Sequence, residues 1–273
     1  MTDLYAVIGN PVAQSKSPRI HAEFARQLAQ DLRYEAILAP REGFAAAVAA
    51  FRAKSGRGLN VTVPFKLEAF ELATERTERA EQAGAVNTLK FDGAAALGDN
   101  TDGAGLVGDI EGRLHFAIRG KRVLLMGAGG AARGVVLPLL RAMPESLALA
   151  NRTVAKAVAL EHRFAPFGPV DGGDYARLAG RRFDLVINAT SASLTGAVPE
   201  LPSGVLAPGS LAYDMVYGSE LTSFLRYANE HGAARVADGL GMLLAQAAES
   251  FWLWRGLRPD TGPVLELLRT TPG

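Results

Sequence analysis

The stretch Val123-Leu124-Leu125-Met126-Gly127-Ala128-Gly129-Gly130-Ala131-Ala132 decides the reading of this 273-residue chain. An apolar run enters a glycine-rich turn, and a helical pattern follows to about Ala142, with Pro138 inside it expected to kink the helix. The turn fits G-x-G-x-x-G/A, a pattern that gains meaning when a strand precedes it and a helix opens on it. Gly127 permits the tight turn, Gly129 lets the backbone approach a pyrophosphate, and Ala132 allows the helix to lie close on the sheet. Free N–H groups at the helix start, over Gly130 and Ala131, then face phosphate oxygens. Without a ligand the same residues are only a glycine-rich strand-to-helix turn; the context favours the dinucleotide.

The end of the next strand, Leu147–Ala150, selects the dinucleotide. An NAD site places an acid there for the ribose 2′-hydroxyl. This chain has Asn151-Arg152-Thr153, then Lys156. An acid would repel a 2′-phosphate, whereas Arg152 can grip one with two N–H groups and Lys156 adds a second cation. Thr153 also reads as a helix N-cap, and the two cations could be plain surface charges; the missing acid favours NADP.

Outward from this turn, short apolar runs alternate with helical spacing. Downstream, strands are expected at 183–188, 211–215 and 235–237, with helices at 154–163, 222–231 and 240–255. Upstream, strands are expected at 4–8, 34–38, 58–63 and 85–91, the third ended by Pro64. Helices are expected after Ser17-Pro18, read as an N-cap with Pro at the first helical position, and at 42–53 and 66–73. The order implies an α/β chain with parallel sheets. The pattern restarts at Lys121, so two domains are expected: residues 1–101, then 102–237, with 238–273 as an apolar helical tail.

Composition narrows the function. With 29 basic and 28 acidic side chains the net charge is +1, so no bulk charge exists to hold nucleic acid or an anionic membrane. The absence of Cys excludes disulfides, zinc–thiolate sites and a cysteine nucleophile. Only four His are present, which argues against a histidine-rich metal site, and no metal is expected. No signal peptide or membrane span is evident, so a cytoplasmic protein is expected. Thirty glycines, about 11% against a usual ~7%, cluster in the turns that matter.

Four polar clusters fall where the first half's strands should end: Ser15-Lys16-Ser17, Asn60 to Lys66, Asn87-Thr88, and Asp99 to Gly103. Ligands of parallel sheets bind at the carboxyl ends of strands, so these groups could converge on a small hydroxylated molecule. Two serines at a helix start suit a carboxylate. Each cluster alone reads as a cap, a turn or a surface charge. Lys66 and Asp102 are the one convincing acid/base pair: oxidising a carbinol requires its proton to be taken up, and the reverse requires a proton to be given. Asp102 would raise the Lys66 pKa and burial would lower it, and either residue could move the proton. Met242 and Gln246 share one face of the tail helix, and Met242 could be core filler.

In this order and spacing, G-N-P-V-A-Q-S-K-S-P, N-V-T-V-P-F-K, A-V-N-T, D-N-T-D-G, G-A-G-G-A-A-R, N-R-T, N-A-T-S and D-G-x-x-M-L-L-x-Q-A resemble the NADP-dependent shikimate dehydrogenase family across essentially the whole chain. The resemblance implies reduction of 3-dehydroshikimate to shikimate with NADPH, in the route to aromatic amino acids. It implies that Ser15 and Ser17 hold the substrate carboxylate, that Lys66 and Asp102 are the catalytic pair, and that Thr62, Asn87, Tyr217 and Gln246 contact the substrate. Gly127, Ala128, Gly129, Gly130 and Ala131 match the pyrophosphate turn, with Asn151, Arg152, Thr153 and Lys156 at the adenosine phosphate. Thr190, Met215, Gly239 and Met242 match the nicotinamide end. The implied fold is an N-terminal α/β substrate domain completed by the C-terminal helices, plus a Rossmann-type doubly wound parallel sheet, acting as monomer or homodimer. Ser193 departs from the glycine common in relatives. Two alternatives stand: an NAD-using quinate/shikimate dehydrogenase, against which Arg152 argues, and a catalytically silent sensor, which would need neither Lys66 nor Asp102.

Overall fold

A computed structural model describes residues 2–270 and contains two sheets of six strands each. Two units divide the chain: one runs to Gly105 and resumes at Leu244, the other spans Leu106–Leu243.

The first unit begins with β1 (Asp3–Gly9), α1 (Ser17–Gln27), β2 (Leu32–Leu38), α2 (Phe44–Ala53) and β3 (Gly56–Val61). These three strands are parallel, each return made by a helix. After α3 (Lys66–Leu72), β4 (Glu75–Arg76) and α4 (Glu78–Ala83) come β5 (Thr88–Asp92) and β6 (Ala95–Asp99). The sheet order is β2-β1-β3-β5-β6-β4. Here the all-parallel expectation is corrected: β5 runs antiparallel to both β3 and β6. The β5–β6 pair closes on the two-residue loop Gly93-Ala94 between the paired Asp92 and Ala95, with Gly93 at φ +53°. A second correction concerns Ser17. It is the first helical residue, Lys16 is the N-cap, and the Ser17 N–H donates to the Ser15 hydroxyl at 3.3 Å.

The second unit holds β7 (Arg122–Met126), α6 (Gly130–Arg141), β8 (Ser146–Ala150), α7 (Val154–Phe164), β9 (Val170–Gly173), β10 (Phe183–Asn188), β11 (Leu206–Asp214), α8 (Ser223–Glu230) and β12 (Arg235–Asp238). It is preceded by α5 (Asp102–Val107), which runs into a π-helical turn over Gly108–Arg113. All six strands are parallel, in the order β12-β11-β10-β7-β8-β9. Val123 and Leu125 join one buried cluster with Val135, Leu139 and Leu160, while Leu124 and Met126 join another with Val186 and Phe224. Successive side chains alternate across a strand, so a sheet covered on both faces reads as an unbroken apolar run. The chain ends with α9 (Leu240–Arg255) and α10 (Gly262–Thr270). Within the first unit, Phe251 packs edge-on to Phe24 at 5.9 Å and Trp254 stacks on Tyr5 at 4.7 Å, fixing α9 against α1 and the sheet.

Candidate active site

Lys66 owes its position to the residue before it. Phe65 is fully buried and stacks on Phe44 at 5.1 Å, while its N–H donates to the Thr62 carbonyl at 3.0 Å. This turn closes after β3 and starts α3 at Lys66. Asp102 is set from the other side. The Asp99 carboxylate is gripped by both Nε and Nη2 of Arg79 and by the Thr77 hydroxyl, the Asn100 amide donates to the Ala85 carbonyl, and the Thr101 N–H donates to Asn87 Oδ1. Asp102 then opens a helix, where an acid suits the dipole. Lys66 Nζ donates to Asp102 Oδ2 at 2.5 Å, and Asn87 Nδ2 donates to Asp102 Oδ1 at 2.8 Å.

Gln246, on α9, joins the same cluster: its Oε1 accepts from the Thr101 hydroxyl at 3.2 Å and from Asn87 Nδ2 at 3.4 Å. So Lys66, Asp102, Asn87 and Gln246 meet. Ser15 and Ser17 lie at the start of α1, and Thr62 follows β3, its N–H donating to the Ile8 carbonyl. Gly9 is needed there, because a Cβ would stand 2.4 Å from the Thr62 methyl. Sequence reasoning gave no role to Tyr34, Asn60, Thr88, Thr101 or Ser250. Asn60, Thr88 and Thr101 lay inside the quoted motifs, and Ser250 is one turn beyond Gln246 on the same helix face.

In the second unit Gly127 follows β7 at φ +109°, a conformation that favours glycine, and a Cβ there would press the Ala189 carbonyl at 3.1 Å. Ala189 follows β10, so the turn sits where the sheet order reverses, the position at which doubly wound sheets take ligands. Beside Gly129 and Gly130 a Cβ would meet nothing within 4 Å, and no side chain caps α6. The N–H groups at its start are thus open to phosphate oxygens. Ala128 is buried and Ala131 exposed, while Ala132 is fully buried against the sheet.

Asn151 donates from Nδ2 to the Thr153 carbonyl at 2.9 Å after β8. Thr153 is the N-cap of α7 by backbone, but its side chain makes no capping bond. Arg152 and Lys156 are exposed and have no ion-pair partner among the described residues. These features suit a dinucleotide carrying an extra phosphate.

Thr190 donates from Oγ1 to Asn188 Oδ1 at 2.7 Å. Met215 follows β11, and a Cβ on Gly239 would strike its carbonyl at 2.2 Å. Met242 is buried in this unit's core. Tyr217 belongs to this unit rather than to the one carrying Asn87 and Gln246; burial, then Asp238, pushes its pKa up. Ser193 donates to Asp214 Oδ2 at 2.6 Å, tying the loop after β10 to the end of β11.

A doubly wound sheet with a bare phosphate turn, in one chain with a half-buried lysine–carboxylate pair, defines a dinucleotide-dependent oxidoreductase. Comparison with known proteins gives the particular kind. Residues 7–89 match the shikimate dehydrogenase substrate binding domain, 111–196 the shikimate/quinate 5-dehydrogenase model, and 239–269 the shikimate 5′-dehydrogenase C-terminal domain. The chain belongs to the shikimate dehydrogenase family. It is 63% identical to the NADP-dependent shikimate dehydrogenase of Nitrosospira multiformis over 100% of this chain and 99% of the relative. Among solved structures, an Ael1 enzyme from Pseudomonas putida is 50% identical with a TM-score of 0.93, covering 99% of each chain. The shikimate 5-dehydrogenase of Thermus thermophilus, solved with NADP(H) and shikimate, is 32% identical with a TM-score of 0.88, covering 98% of this chain and 99% of that one.

Proposed function

We infer that this chain is an NADP-dependent shikimate dehydrogenase that catalyses the reversible NADPH-linked reduction of 3-dehydroshikimate to shikimate, a step in aromatic amino acid biosynthesis. The observation that carries the reading is the Lys66–Asp102 pair at 2.5 Å within a cluster of uncharged hydrogen-bonding side chains. When bound, NADPH would supply the hydride that the carbonyl carbon receives. Lys66 gives a proton to the carbonyl oxygen as it becomes a hydroxyl, and takes it back in the oxidation. Asp102 holds the ammonium in place. Ser15 and Ser17 hold the substrate carboxylate, and Thr62, Asn87, Tyr217 and Gln246 orient the ring and its hydroxyls.

Gly127, Ala128, Gly129, Gly130 and Ala131 hold the pyrophosphate; Asn151, Arg152, Thr153 and Lys156 hold the adenosine phosphate; Thr190, Met215, Gly239 and Met242 line the nicotinamide end. The substrate domain is taken as residues 1–101 completed by 238–273, and the cofactor domain as 102–237. No helix among the described residues is long and apolar enough to cross a membrane. A biosynthetic enzyme of a small polar metabolite is placed in the cytoplasm, as monomer or homodimer. The test is a spectrophotometric assay crossing shikimate and quinate with NADP and NAD. Turnover is expected with shikimate and NADP; preference for quinate or NAD would refute the assignment.

A further inference from the structure

Asp102 terminates a network of side-chain hydrogen bonds that reaches back to Tyr34. The Thr101 backbone N–H can only donate, and it donates to Asn87 Oδ1 at 2.9 Å. That orients the Asn87 amide, so Nδ2 faces Asp102 Oδ1 and donates to it. Thr88 Oγ1 lies 2.9 Å from Asn87 Oδ1 and can donate to it, as the Thr101 hydroxyl can at 3.2 Å. The Thr88 lone pairs accept from Asn60 Nδ2 at 3.1 Å, and Asn60 Oδ1 in turn accepts from the Tyr34 hydroxyl at 2.7 Å. Ser250 accepts the second Asn60 amide proton at 2.9 Å and lies 2.9 Å from Thr88 Oγ1. Asn60, Asn87, Thr88, Thr101 and Ser250 are all buried. Burial pushes the Tyr34 pKa well above its ordinary value, so its proton stays in place; a bond to Ser17 acts weakly the other way.

We propose that Tyr34, Thr88 and Ser250 are positioning residues that aim the Asn87 amide at Asp102. The proposal rests on the dehydrogenase reading above. Lys66 is the charge facing Asp102 from α3. Asn87 and, through it, Gln246 on α9 face it uncharged. Asp99 on β6 and Glu249 on α9 are held by Arg79, and His21 on α1, stacked on Tyr34, is kept neutral by burial.

The test compares Thr88→Val and Thr88→Ser in the full chain, following shikimate oxidation at limiting and saturating substrate. Because the Thr101 N–H still holds Asn87, Thr88→Val is expected to lower kcat about tenfold with KM for shikimate within about threefold. Thr88→Ser, which keeps the hydroxyl, should restore kcat. An unchanged kcat, a loss confined to KM, or a serine variant as impaired as the valine overturns the proposal. Should Thr88→Val not fold, Ser250→Ala removes the hydroxyl that accepts from Asn60 Nδ2 and is expected to lower kcat in the same way; an unchanged kcat again overturns it. Wild-type protein without shikimate turnover would refute the functional reading instead.

Discussion

Replacing Lys66 with alanine separates chemistry from stability. The ammonium is Asp102's partner at Oδ2, and Asn87 still donates to Oδ1. Removal therefore leaves one carboxylate oxygen of a residue 8% exposed without its bond. An unsatisfied buried group costs about 1–3 kcal/mol, and a fully buried pair broken from one side about 3–5. The Lys66 side chain is 24% exposed, so water reaches that side and the lower range applies. At roughly 2–4 °C per kcal/mol for a chain of this size, the melting temperature should fall by about 2–12 °C. Such a loss leaves most of a typical stability of about 5–15 kcal/mol intact, so the variant stays folded at assay temperature. Turnover should nevertheless drop about 10²–10⁴-fold, the range for a lost general acid/base. Steady-state rates at saturating shikimate and NADP, read beside a thermal melt, test both numbers. Asp102→Asn should show a comparable kinetic loss, and the double variant should be strongly non-additive because the two act as a unit. A folded Lys66→Ala enzyme with full turnover, or a loss confined to KM, refutes the mechanism.

Arg152→Ala should raise the NADP Michaelis constant about 10- to 150-fold, the worth of a charge-assisted bond of about 1.5–3 kcal/mol, with little change for shikimate; an unchanged NADP constant removes Arg152 from the 2′-phosphate. Gly241→Ala would put a Cβ 2.0 Å from Asp109 Oδ1, in a carboxylate that Arg113 holds at Oδ1 and the Tyr213 hydroxyl at Oδ2, so about 1–3 kcal/mol should be lost in a urea titration, and a neutral result would show that this start of α9 yields. Burial pushes His21 from 6.5 down to about 3, so the unfolded chain takes up a proton the native state refuses between those values. Stability from this group is full above about pH 6.5 and falls as pH drops toward 3, by about 2 kcal/mol between pH 7 and 5; His21→Phe should remove that part of the slope, and equal slopes refute the assignment.

The doubly wound sheet was legible because both its faces are buried, which writes each strand as an apolar run. What escaped is physical too. β9 is the short, glycine-bearing stretch Val170–Gly173, with little apolar signal to read. β11 begins at Leu206 although only its apolar end from Leu211 stands out, since Pro208, Gly209 and Ser210 interrupt it. In the site, residue types were readable but not their joining. Nothing local at positions 34 and 250 announces that both reach the Asn60 side chain; only the sheet order and the return of α9 bring them together.

The reversed strand β5 is what assembles the acid/base cluster. Thr88 is paired with Asn60 at the end of β3 and with Asp99 at the end of β6, because β5 begins at the edge where its neighbours finish. Ligands gather where parallel strands end, so clusters after β1 and β3 would converge in any such sheet. Asn87-Thr88 precedes its strand, and in a parallel sheet it would lie at the opposite edge. At about 3.3 Å per residue, a five-residue strand would carry it roughly 16 Å away, beyond any side-chain bond. The Gly93-Ala94 turn therefore does more than close a hairpin. By setting the start of β5 beside the end of β6 it brings the Asn87 amide to Asp102, where it donates to the carboxylate that holds Lys66.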